Sequence, residues 1–281
     1  MTFSSVTLGT LLAALGGRFD PLFYVVALVG MVAFHAAANV LNDYYDVRHG
    51  VDRAGAPTTR YRPHPAAFGQ SPPSTTLGFS LGLYGVTLLA GAYLAYATSI
   101  TVLPLVLAGV VGSVFYTADP LVLKKRAMGE PTVFLMWGVL VPLGAYVVQT
   151  GTVSWLPVAA AVPVGILVGL VLLANNIRDI EYDGSVGMRT LAVALGAGRA
   201  SRLYEGLLAV VYAFILGGVL VGALPVWCLL VFLTAPEAVS LRKMFRGAVP
   251  DNADPRTAAL ALKFSLLYMA GLVLAILVPR V

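Results

Sequence analysis

Charge is what this sequence has least of. Only 11% of its 281 residues are Asp, Glu, Lys or Arg, against about one quarter in soluble domains, while 59% are hydrophobic. Too few charged side chains are present to clothe a water-soluble surface, so the soluble globular classes are excluded and a lipid bilayer is the implied solvent. Cysteine is equally scarce. Cys228 stands alone, which excludes an intrachain disulfide; inside an apolar run it reads as a small packing residue. With three histidines and one cysteine there is no His/Cys set for a zinc or other soft-metal site. No Lys or Arg precedes Arg18, so no cleaved leader with a basic start is expected.

What the chain does have is apolar runs near the ~20 residues that cross a bilayer as a helix. About nine spans are expected: 3–17, 21–41, 75–98, 100–117, 131–149, 153–174, 203–221, 224–241 and 260–278. They leave no room for a separate soluble domain, so residues 1–281 form one all-α, polytopic membrane helical bundle. Alternate connections must lie on opposite sides of the membrane. Of the 18 basic residues, all but Arg18 and Arg280 fall on the side holding the second-to-third connection or its later equivalents. By the positive-inside rule that side is cytoplasmic. The net charge of +5 therefore reflects orientation in a cell membrane and calls for no nucleic-acid partner. The longer connections lie on the same side, and long loops are where function concentrates.

Two acidic motifs sit at that cytoplasmic boundary. The first is NVLNDYYDVRHGVD, in which Asn39, Asp43 and Asp46 are spaced i, i+4, i+7 and Asn42 precedes Asp46 by four. If the helix continues past Leu41, these side chains share one face. The second is VLLANNIRDIEYD, with Asn175, Asp179 and Asp183 at i, i+4, i+8. Acids at a helix C-terminus oppose the macrodipole, and like charges one turn apart repel. Two clusters that break both rules on one side point to a bound cation. Oxygen-only donors suit Mg²⁺ or Ca²⁺, neither motif has a calcium-loop order, and Mg²⁺ shares its shell with phosphate. Lys124, Lys125, Arg126, Arg178 and Arg189 are candidates to clamp that phosphate. The chemistry implied is a metal-bound phosphate head at the lip of an apolar bundle, its tail between helices. The two motifs are expected to face one another across one cytoplasm-facing cavity, with the Lys124–Arg126 loop beside it and residues 48–73 ordering around metal and diphosphate.

These motifs resemble the two aspartate motifs of the UbiA superfamily of intramembrane prenyltransferases, and the resemblance runs nearly the length of the chain. Within it, NDYYDVRHGVD, NNIRDIEYDGSVGMRTLAVALG, LKKRAMGE and GVLVPLGAYVVQTG are most similar to the 1,4-dihydroxy-2-naphthoate branch of menaquinone synthesis. The resemblance implies Mg²⁺-dependent transfer of a polyprenyl group from its diphosphate to a small aromatic acceptor, with loss of CO₂ if that acceptor is the naphthoate. It implies Asn39, Asp43, Asp46, Asp179 and Asp183 as metal ligands, the four acids being catalytic, and Asn42, Lys124, Arg126, Asn175, Arg178 and Arg189 as diphosphate contacts. Where the common form has a further Asp four residues after Asp46, this chain has Gly50, with Asp52 beyond it; Tyr116 is followed by lysines at a spacing unlike that of the hydroxybenzoate branch.

Other readings stay open on sequence alone. The acceptor could be 4-hydroxybenzoate, homogentisate or a glyceryl phosphate. A transporter would place its charges near mid-span, whereas these acids cluster at one lip. His35, one turn deeper than Asn39, is an intramembrane ionisable group and hence a candidate for function, against the alternative of a neutral, hydrogen-bonded histidine. Tyr146 and Gln149 are placed near the outer face, away from any acceptor. Isoprenoid length and oligomeric state are not encoded in any motif.

Overall fold

The computed structural model describes residues 1–52, 69, 72–247 and 249–278. The loop expected to order around diphosphate lies mostly outside the described residues. Regular structure among them is helical, in chain order α1 (Thr2–Leu15), α2 (Pro21–Arg48), α3 (Pro73–Ala97), α4 (Val102–Thr117), α5 (Gly129–Thr150), α6 (Trp155–Arg178), α7 (Ile180–Ser185), α8 (Leu191–Leu195), α9 (Ala197–Leu220), α10 (Ala235–Met244) and α11 (Ala253–Leu277).

Six of these, α2, α3, α5, α6, α9 and α11, are long and apolar enough to cross a membrane. Helices α1 and α4 are apolar but shorter. The expected span at 224–241 is no single α-helix: Val226–Thr234 is a 3₁₀ stretch that hands over to α10. A 3₁₀ helix rises about 2.0 Å per residue against 1.5 Å for an α-helix, so this short segment reaches farther than its residue count suggests.

Local sequence explains the element ends. Asp20 caps α2 by accepting from Phe23 N–H at 3.0 Å, with Pro21 at the first helical position, a favoured start. Gln149 closes the same corner: its side chain accepts from Asp20 N–H at 2.6 Å and donates to Asp20 C=O at 3.1 Å. Its role is structural, at the end of the bundle opposite the acids. Helix α2 continues unbroken to Arg48, as the first motif requires. Gly50, at φ +71°, then turns the chain back so that both Val51 and Asp52 N–H donate to Asp46 C=O.

The core is built on α6, which is buried along most of its length and packs against α5, α9 and α11. Small residues permit the close approaches, as is common between membrane helices. A Cβ on Gly165 of α6 would lie 2.5 Å from Gly138 Cα of α5. At that contact α5 carries a π-turn over Met136–Leu140, a form frequent at functional sites. Large apolar side chains such as Phe79, Leu89, Ile100 and Leu233 are exposed on the outside, the surface a lipid-facing bundle needs. Tyr96 and Trp155, 93% and 84% exposed, sit at helix ends away from the acids, where interfacial aromatics belong.

Candidate active site

One face of α2 supplies the first wall of a cavity of about 520 Å³. Phe34, His35, Ala38, Asn39, Asn42 and Asp46 line it, the pattern of one helical face. Asp43 does not line it; at about 100° per residue it is turned a full step from Asn42. Asp52 is brought to the same cavity by the Gly50 turn.

The second wall comes from α6 and α7. The expected continuous helix through Asn175, Asp179 and Asp183 is interrupted: Asp179 (φ −97°, ψ 13°) is the junction of the two helices. The register nevertheless survives, because Asp179 N–H donates to Asn175 C=O at 3.0 Å and Asp183 N–H to Asp179 C=O at 2.9 Å. Asn175, Asn176, Asp179 and Asp183 therefore line the cavity opposite α2. The two walls are tied together by Tyr182, whose hydroxyl donates to Val51 C=O at 2.6 Å.

Charge in the cavity is balanced unevenly. Burial, with the charges of Asp179 and then Asp46, pushes the Asp183 carboxyl up to about 7. Lys124 enters from the loop after α4 and is buried; its ammonium donates to Asp46 and, at 2.6 Å, to Asn42 Oδ1. Burial pulls that ammonium below its ordinary value, against the opposing pull of Asp46. Over the second wall lies Arg178. Its guanidinium grips Asp179 with Nε at 2.8 Å and Nη2 at 2.7 Å, reaches Asn175 Oδ1 at 2.8 Å, and pairs with Asp254. Each acidic wall thus already carries one cation.

Lys124 and Arg178, read from sequence as diphosphate donors, spend their donors on the acids and amides of the motifs. Arg126 and Arg189 are exposed and outside the lining; Arg126 donates to Pro120 C=O at 3.0 Å. Their loops do meet, through a parallel bridge and Ala127 N–H donating to Arg189 C=O at 2.8 Å. That contact holds the Lys124 loop over the gap between the two motifs.

Several lining residues had no signal in the motifs. Asp254 opens α11 about seventy residues beyond the second motif and reaches the cavity only through the fold. Tyr116, given no role from its spacing to the lysines, is half-buried in the lining. Trp137 and Met136 are delivered by the π-turn. Behind the wall, buried Glu130 accepts from Asn176 Nδ2 at 2.9 Å. Glu237 pairs on the surface with Lys263 at 2.9 Å, away from the cavity.

Deeper in the bundle the polar cavity gives way to an apolar crevice of about 90 Å³ between α2, α3, α4 and α5. Phe34 and Met136 belong to the walls of both. Carboxylates and amides at one end and an apolar slot at the other suit a ligand with a charged head and a hydrocarbon tail.

Comparison with known proteins gives a consistent result. The model of the UbiA prenyltransferase family matches residues 2–267. A 1,4-dihydroxy-2-naphthoate octaprenyltransferase of Bacillus subtilis (strain 168) is 32% identical over 257 residues, covering 89% of this chain and 80% of that protein. Among solved structures, the apo form of a UbiA homologue from Aeropyrum pernix K1 superposes with a TM-score of 0.73 at 18% identity, covering 96% and 97% of the two chains. A UbiA homologue from Archaeoglobus fulgidus bound to DMAPP and Mg²⁺ gives a TM-score of 0.64 at 14% identity, covering 96% and 95%. These two show the fold.

Proposed function

Because this chain belongs to the UbiA prenyltransferase family, we propose that it transfers a polyprenyl group from its diphosphate to a small hydroxylated aromatic acceptor, 1,4-dihydroxy-2-naphthoate, with loss of CO₂. The observation that carries the reading is the meeting of both acidic motifs across one cavity, which adjoins an apolar crevice at Phe34 and Met136. The polar lining of the first matches a charged diphosphate, and the apolar lining of the second matches the start of an isoprenoid tail. The choice of acceptor is supported by the naphthoate-prenylating relative from Bacillus subtilis.

The donors present fit Mg²⁺. They are all oxygens, with Asn39 and Asp46 lining the cavity from one wall and Asp179 and Asp183 from the other. Among the described residues no three His, Cys, Asp or Glu side chains form a ready metal cage. That suits an ion which takes one or two carboxylates and completes its shell with water and phosphate, and the Archaeoglobus fulgidus homologue was solved with Mg²⁺ and a prenyl diphosphate. Asn39 and Asp46 from one wall and Asp179 and Asp183 from the other are proposed as its ligands, directly or through water, with Asp43 at the edge of the first set. When bound, the metal supplies charge that stabilises the departing diphosphate.

The chain's own residues do the rest. Asn42 and Asn175 hold the rim of the diphosphate seat, with Lys124 contributing fixed positive charge beside it. Arg126 and Arg189 border the entrance. Breaking the allylic C–O bond leaves a carbocation, which the apolar walls from Val168, Leu172 and Met136 shield from water. The ring carbon bearing the carboxylate forms the new C–C bond; the C–CO₂ bond then breaks and its electron pair restores the aromatic ring. The acid-rich end is proposed to face the cytoplasm, since Arg18 is the one described Lys or Arg at the opposite end. With α1, α4 and the 3₁₀–α10 segment counted, the chain would then cross the membrane nine times.

The test is a transfer assay in detergent with prenyl diphosphates of several lengths and a panel of acceptors. Expected are naphthoate prenylation and CO₂ release, both abolished by EDTA and restored by Mg²⁺. Asp46→Ala or Asp183→Ala should reduce turnover by about a thousandfold, the scale of losing one transition-state electrostatic contact. Turnover that survives EDTA and either substitution overturns the metal assignment. Prenylation of a different panel member, with none of the naphthoate, overturns the acceptor.

A further inference from the structure

We propose that His35 and Trp137 form the seat of the aromatic acceptor, with His35 Nε2 hydrogen-bonding a ring hydroxyl; the inference rests on the aromatic prenyl transfer proposed above. Both side chains line the polar cavity. His35 lies on the same face of α2 as Asn39, one turn or about 6 Å deeper. It is thus set inward from the diphosphate seat, where the reactive carbon of a prenyl chain must pass on its way to the crevice.

The two nitrogens of His35 have different employment. Nδ1 is engaged with the Thr2 hydroxyl at 2.8 Å, a bond that fixes the ring across to α1. Nε2 has no hydrogen-bond partner among the described residues, although the ring stands in the wall of a cavity. The ring is half-buried, so Nε2 is left open to whatever occupies the cavity. Whichever nitrogen carries the hydrogen, Nε2 offers one contact, and a phenolic hydroxyl can meet either form because it both donates and accepts.

Trp137 supplies the flat partner. Its ring centroid lies 4.8 Å from that of His35, tilted by 58°, so the pair presents an aromatic corner with one polar point. That corner depends on the π-turn of α5, which places Met136 and Trp137 together in the lining. Ser5 of α1 secures the turn by donating to Trp137 C=O at 2.9 Å. Helix α1 therefore braces both halves of the corner, through Thr2 and Ser5. An aromatic ring seated there would lie beside the Phe34–Met136 neck, where head and tail of the prenyl donor meet.

Two substitutions separate this role from structural bracing. Asn at position 35 places its amide where Nδ1 stands and keeps the Thr2 bond while losing Nε2. Gln reaches the position of Nε2 and gives up the Thr2 bond. In a Trp155→Phe/Trp227→Phe background, Trp137 is the single tryptophan and reports binding through its fluorescence. The probes are 1,4-dihydroxy-2-naphthoate and 4-hydroxybenzoate. At least one of them is expected to quench Trp137. His35→Asn should raise the acceptor Kd and KM about tenfold, the scale of one lost hydrogen bond, with the KM for prenyl diphosphate unchanged; His35→Gln should stay near the parent. The proposal is overturned if Asn behaves as the parent, if Gln is the impaired variant, if both substrates' KM values rise together, or if neither probe quenches Trp137. Should both variants fail to fold, quenching in the parent background alone decides. Quenching without any prenylation would leave the seat standing and refute the transfer reaction instead.

Discussion

Asp46 and Lys124 form a buried ion pair in the wall of the cavity. Two carboxylate-bearing walls repel unless a cation lies between them, and the buried ammonium of Lys124 meets that need at Asp46 and Asn42. Removing one partner of a buried pair costs about 3–5 kcal/mol, because the other is left as an uncompensated charge. Lys124→Met and Asp46→Asn are each expected to lower the thermal midpoint in detergent, with Asp46→Asn the milder because Asn keeps a carbonyl acceptor. The double variant should be more stable than the sum of the singles by about 1–3 kcal/mol, the coupling of contacting residues. Simple additivity of the midpoint shifts would show that the two do not interact. Arg178 is the counterpart on the second wall. It grips Asp179 and Asp254.

At the scale of elements, the helices and the two motifs were legible and the means of bringing them together were not. Periodicity in α2 joined Asn39, Asn42, Asp43 and Asp46 on one face, of which all but Asp43 line the cavity, and a hydrogen-bonded turn kept Asn175, Asp179 and Asp183 in step across a break that spacing does not reveal. The basic residues were legible only as a group. Charge near an acidic motif suggested phosphate binding, but whether a Lys or Arg faces ligand or acid depends on which helix packs opposite, as with Lys124 and Arg178. Asp254 was invisible for the same reason. The π-turn in α5 did have a local cue in Pro142, which cannot donate to the Gly138 carbonyl one turn back, whereas the 3₁₀ stretch Val226–Thr234 was not read from the sequence. The π-turn can be tested by crowding it. A methyl on Gly165 would sit 2.5 Å from Gly138 Cα, whereas Gly206, exposed on α9 and outside the cavity, has open space around it. Gly165→Ala should cost about 1–3 kcal/mol as an overpacked core does, and should impair transfer by displacing Trp137. Gly206→Ala should match the parent in both midpoint and activity. Equal behaviour of the two variants would remove the π-turn from the account of the site.

For the whole molecule, the placement of charge and of aromatic residues makes a joint statement about orientation. Arg48, Lys124, Arg178, Arg189, Arg199 and Arg242 gather at the end of the bundle that holds Asp46, Asp183 and Asp254, while Tyr96 and Trp155 mark the other end. If the positive-inside rule governs this chain, diphosphate enters from the cytoplasm and the isoprenoid tail stays at bilayer depth. The geometry permits a direct check. Cys228 is fully buried, so the parent should react little with a membrane-impermeant thiol reagent. Thr152, exposed between α5 and α6, and Gly184, exposed in α7, lie at opposite ends of the bundle, being separated by the single crossing of α6. In intact cells Thr152→Cys should be labelled and Gly184→Cys protected; in inverted vesicles the pattern should reverse. Labelling of both positions from one side would mean that α6 does not cross the membrane. A reversed pattern would keep the crossing and place the acidic cavity outside, where a cytoplasmic prenyl diphosphate could not reach it.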